Sequence, residues 1–70
     1  MIQITVDIPD GSLASLHKDP ESFADEMRIA TAVEWYATRE LSQERAAELA
    51  GLSRPAFVDA LGGYGVSPFR

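Results

Sequence analysis

Residues 41–61, LSQERAAELAGLSRPAFVDAL, restrict the fold more than any other stretch of this chain. Ser42 and Ser53 each stand where a side-chain oxygen accepts a hydrogen bond from an orphan backbone N–H at a helix start. Between them, Ala46, Ala47, Leu49 and Ala50 put small apolar groups on one side of a first helix. Gly51 follows, at the position where a helix ends in the left-handed region that glycine enters at little steric cost. Leu52 is the apolar plug after it. Pro55 falls in the first turn of a second helix, where its missing N–H is not needed. Phe57, Ala60 and Leu61 give that helix its buried side. The pattern predicts a helix-turn-helix over residues 42–62, with Ala47 at the close approach of the two helices. An αα-hairpin that binds nothing fits the same residues.

A chain of 70 residues makes one domain with a marginal core. Small domains often add disulfides, metals or oligomerisation. With no Cys and one His, disulfides are excluded and a structural zinc site is not expected, which leaves assembly as the source of further buried surface. The lack of Cys fits a reducing compartment. The first residues alternate instead of forming the apolar core of a signal peptide, and no apolar run approaches the ~20 residues of a membrane span. A soluble, cytoplasmic protein is expected. Eleven acids against six bases give a net charge of −5, which opposes nonspecific nucleic-acid binding. Any DNA contact must come from a local basic patch or from a partner.

Ahead of the helix-turn-helix, Ile2, Ile4, Val6 and Ile8 alternate with Gln3, Thr5 and Asp7 up to Pro9. This period of two predicts a half-buried β-strand over residues 1–9. Its edges need partners. The chain offers only a weak second strand around residues 64–67, so the strand pairs with that segment or with its copy in a second subunit. Leu13 and Leu16 could share one side of a single helical turn. His17, beside Lys18 and Asp19, reads as a solvated side chain. Asp19 as cap, Pro20 at the first helical position and Glu21 in the first turn open the main helix, residues 19–39. Phe23, Met27, Ala30, Ala37 and Leu41 share a face that Ile29, Val33 and Tyr36 widen to about half the circumference. So broad a face predicts packing against the helix-turn-helix and a second subunit. Trp35 falls on the far side, near Arg28, Thr31 and Arg39, either lying on the surface or acting as an interface anchor. Gly62-Gly63 ends the last helix, and residues 64–70 read as a short extended tail.

The expected architecture is thus mainly α: an N-terminal strand followed by a small helical domain with a helix-turn-helix, assembled as a homodimer. The acids are scattered at surface spacings, no glycine-rich loop follows a strand, and both serines are explained as caps. No catalytic residues, cofactor, metal or small-molecule substrate are expected.

The order of an alternating N-terminal segment ending in Pro, a helix rich in Ala and Ile, then AAELAGLSRPAF and LGGYGVSPF resembles the UPF0175 family of small prokaryotic proteins. The resemblance covers nearly the whole chain. Its most specific pieces are residues 46–54, Phe57 and the ending Gly65-Val66-Ser67-Pro68-Phe69. It implies an antitoxin of a type II toxin–antitoxin pair, a dimer that holds a PIN-domain ribonuclease inactive and regulates its own operon. Members usually continue into a charged tail, whereas this sequence ends at Arg70.

As a DNA reader, the chain would use Arg54 for a base or phosphate contact, Arg45 and Arg39 for phosphates, and Ser53 as a phosphate donor at a helix N-terminus. The partner or dimer surface would comprise Ile2, Ile4, Val6, Ile8, Ile29, Val33, Trp35 and Tyr36. The competing reading is a protein-interaction module that does not bind DNA and uses the helix face and Trp35.

Overall fold

A computed structural model describes residues 1–69. It consists of α1 (Asp10–Leu16), α2 (Pro20–Ala37), α3 (Gln43–Ala50) and α4 (Arg54–Gly63). The mainly helical expectation stands, but the N-terminal strand does not: among the described residues there is no β-strand. Residues 1–9 lie in no regular element, with Ile2 91% and Ile4 82% exposed.

The reason lies at the other end of the chain. The segment needed to pair with a strand is used to terminate α4. Val66 N–H donates to Leu61 O at 2.9 Å and Gly65 N–H to Gly62 O at 3.1 Å, with Gly65 at φ 71°. These two bonds form a Schellman motif, with Val66 and Leu61 supplying its apolar contact. A strand without a partner has no ladder for its donors and acceptors, so alternation alone does not make one.

The same termination closes every helix. In α3, Gly51 takes φ 72° while Leu52 N–H donates to Ala47 O at 3.0 Å. In α1 the left-handed residue is His17 at φ 54°, and after α2 it is Arg39 at φ 66°, with Glu40 N–H donating to Trp35 O at 2.8 Å. Two of these positions carry a side chain where glycine is the usual solution. The helix starts follow the sequence signals. Asp19, Ser42 and Ser53 accept from the backbone N–H groups of Ser22, Arg45 and Ala56, respectively.

The core joins the C-terminal half of α2 to the helix-turn-helix. Ala32, Val33 and Tyr36 of α2 pack with Ala46, Ala47 and Ala50 of α3 and Phe57 and Leu61 of α4. Alanines on both sides let α2 and α3 approach closely, so the small residues do the positioning and Phe57 and Leu61 supply the bulk. Tyr36 and Phe57 meet edge to face, with ring centroids 6.0 Å apart. Ala32, fully buried, was not evident from the sequence; its place beside Val33 on the α3-facing side was the available signal.

The N-terminal half of α2 is not covered by the helix-turn-helix. Phe23, Met27 and Ala30 line a small groove with Leu16, Lys18 and Glu26. Lys18 bridges to Glu26 at 2.6 Å, and the Glu26 hydrogen bond and charge raise the Lys18 pKa above its ordinary value. The broad apolar face is therefore divided: its C-terminal half is core, its N-terminal half remains open.

Candidate nucleic-acid interface

The turn Gly51-Leu52-Ser53 sets α4 against α3 and brings Arg54, the first residue of α4, alongside Gln43, the first residue of α3. The Gln43 side-chain oxygen accepts from Arg54 Nη2 at 2.8 Å and from Nε at 3.3 Å. Gln43 Nε2 in turn donates towards Tyr36 Oη and Pro68 O, each at 3.4 Å. Tyr36 Oη donates to Pro68 O at 2.6 Å. A guanidinium only donates, so the Gln43 oxygen faces Arg54 and its amide nitrogen faces Tyr36 and Pro68. These residues, with Val58 and Phe69, line an open cleft of about 600 Å³.

Gln43 is neutral, so Arg54 keeps its full charge, and the Gln43 bonds use two of its five N–H groups. Ser53 Oγ accepts from Ala56 N–H at 3.3 Å, which leaves the hydroxyl proton to be donated at the start of α4. Arg45 differs: it pairs with Glu48 at 3.3 Å on the exposed side of α3, and that carboxylate competes with any phosphate. Arg39 is exposed at the left-handed position after α2, beyond the far end of that helix. Asp59 and Glu48 are exposed acids on α4 and α3.

The residues assigned to a partner surface separate in the same way. Ile2, Ile4 and Val6 are exposed and Ile8 is half-buried. Trp35 is 43% exposed, as its place on the far side of α2 predicts. Val33 and Tyr36 are buried in the chain's own core and Ile29 packs against it, so these three do not present a free surface.

Arg28 was not singled out in the sequence as a structural residue. Its Nε donates to Leu49 O at 2.8 Å, satisfying a carbonyl at the C-terminal end of α3 and bringing positive charge to that end of the helix dipole. A Cβ at Gly51 would lie 3.4 Å from the same guanidinium.

Among the described residues no group of three or more His, Cys, Asp or Glu could hold a metal ion, and no helix is long and apolar enough to cross a membrane. What these elements define is a small helix-turn-helix protein with a single arginine presented at the head of its second helix. The model of the uncharacterised protein family UPF0175 matches residues 1–69, and the chain belongs to that family. No curated protein and no solved structure matches it.

Proposed function

We propose that this chain is the antitoxin-type regulator of a type II toxin–antitoxin pair, binding a PIN-domain ribonuclease and contacting operator DNA through α4. Family membership supports the first half through the resemblance described above. The observation that carries the second is Arg54, fixed by Gln43 at the start of the second helix of a helix-turn-helix and still fully charged. In this motif the N-terminal residues of the second helix meet base edges. An arginine there reaches a guanine edge or a phosphate, and Ser53 adds a donor at the same helix end.

The affinity of the chain alone is weak. Net charge is −5, Arg45 is shared with Glu48, and Asp59 faces solvent from α4. Binding therefore depends on assembly, which places two such heads on one duplex. The exposed apolar arm, residues 1–8, supports that need: Ile2 and Ile4 bury little within the chain, Val6 is about half covered, and together they mark a surface for a second copy or for the toxin. The arm and the exposed Trp35 also favour the alternative, an interaction module that leaves DNA alone.

The test of the toxin half is co-expression with the product of the adjacent reading frame. A PIN-domain ribonuclease whose growth arrest is relieved, and which copurifies with this chain, is the expected result. An adjacent gene of another kind, or arrest that persists, removes the antitoxin reading.

A further inference from the structure

We propose that Gln43 is the positioning residue for Arg54, and that the carbonyl of Pro68, from the segment after α4, sets Gln43. This rests on reading Arg54 as a DNA contact. The chain of contacts runs in one direction chemically. Tyr36, buried at the core, donates to Pro68 O at 2.6 Å and so fixes that carbonyl. A carbonyl has two lone pairs, and the second is open to Gln43 Nε2 at 3.4 Å. With its amide nitrogen turned to Pro68 and Tyr36, the Gln43 oxygen must face α4, where Arg54 Nη2 and Nε both donate to it. An exposed arginine otherwise samples many rotamers, and ordering it on binding opposes affinity. Here the core orders it beforehand, through a segment that contributes no charge of its own at Pro68.

A role through Arg54 differs from a merely structural one. Gln43→Ala should weaken binding to a DNA fragment from upstream of the gene by about threefold to tenfold, the scale of one net hydrogen bond. In an Arg54→Ala background the same change should have no further effect. Gln43→Glu restores an acceptor but pairs the arginine's charge, so affinity should fall below that of Gln43→Ala. An equal loss with and without Arg54 would reduce Gln43 to a folding residue. If Arg54→Ala binds as wild type does, the DNA reading itself fails, and a readout without DNA still decides the coupling. In the free protein, the ¹⁵N relaxation of Arg54 Nε should match the rigid backbone in wild type. It should become that of a free side chain in Gln43→Ala and in a chain ending at Ser67, each checked for native circular dichroism. Arg54 Nε equally rigid in both variants, or already mobile in wild type, overturns the proposal.

Discussion

Tyr36 and Pro68, 32 positions apart in sequence, are joined by a hydrogen bond of 2.6 Å from the phenol to the carbonyl. The same ring packs edge-on against Phe57, so one residue ties the segment after α4 to the core and to the second helix of the turn motif. The two roles separate by mutation. Tyr36→Phe keeps the ring and should cost about 1 kcal/mol, a single net hydrogen bond. Phe57→Ala empties the centre of a small core and should cost roughly 3–5 kcal/mol. Chemical denaturation followed by circular dichroism measures both; equal losses would mean that the phenol, not the rings, holds the helices together.

Gly51 stands at φ 72° above the Arg28 guanidinium. Gly51→Val places a β-branched residue in the left-handed region and should destabilise the domain by about 1–3 kcal/mol, the Arg28 guanidinium being in no more than ordinary contact with the added Cβ. Arg39 is the converse case, a left-handed position at φ 66° occupied by a side chain. Arg39→Gly should raise stability by about 1 kcal/mol through the strain it relieves. Thermal melts of the two variants should move in opposite directions; a shift of both the same way would contradict this assignment of the helix ends.

Acid sensitivity should begin at the head of α2. The backbone N–H of Ser22 donates to the Asp19 carboxylate at 2.7 Å, and this bond holds the Asp19 pKa below its ordinary 3.8. A depressed folded-state value means that the stabilisation is complete above 3.8 and is lost as pH falls through the lower value. Asp19→Asn keeps a cap without a proton to gain, so its stability should decline less across that acid range than wild type's. Parallel declines would assign the acid loss to other carboxylates.

The arm of residues 1–8 gives a prediction about assembly. Ile4 is 82% exposed, so Ile4→Asp should leave the fold intact. If the arm docks on a second copy, sedimentation at micromolar concentration should give twice 7.6 kDa for wild type and a lighter species for the variant. Cooperatively folded wild-type monomer at that concentration would remove the dimer from the proposal.

What could be read from the sequence was local. Asp19-Pro20, Ser42, Gly51 and Ser53-Arg54-Pro55 each act within one helical turn, and the helix ends they mark are where the structure has them. What could not be read depends on distant partners. Alternation from Ile2 to Ile8 specifies two faces but cannot say whether a neighbouring strand exists, and Gly65-Val66 was already engaged at the end of α4. His17 and Arg39 carry no sign of their left-handed backbone, since neither is the residue such a position favours. The amphipathic pattern of α2 predicted packing against the helix-turn-helix and a second subunit; Val33 and Tyr36 do meet α3 and α4, but the pattern could not say which part of the face those helices take. Arg54 was legible as the base at the head of α4; the network that fixes it joins residues 7 to 32 positions apart and was not.

The most direct measurement is a titration of the protein against a DNA fragment from upstream of its own gene, at low and moderate salt, with Arg54→Ala alongside. Wild type should bind weakly, lose affinity steeply with salt, and bind more tightly when the toxin partner is present. Arg54→Ala should bind more weakly by the roughly 1–3 kcal/mol of a bidentate guanine contact. Indistinguishable binding by the two proteins, or no binding by either even with the partner, would contradict a DNA-reading α4 and leave the protein-interaction module in its place.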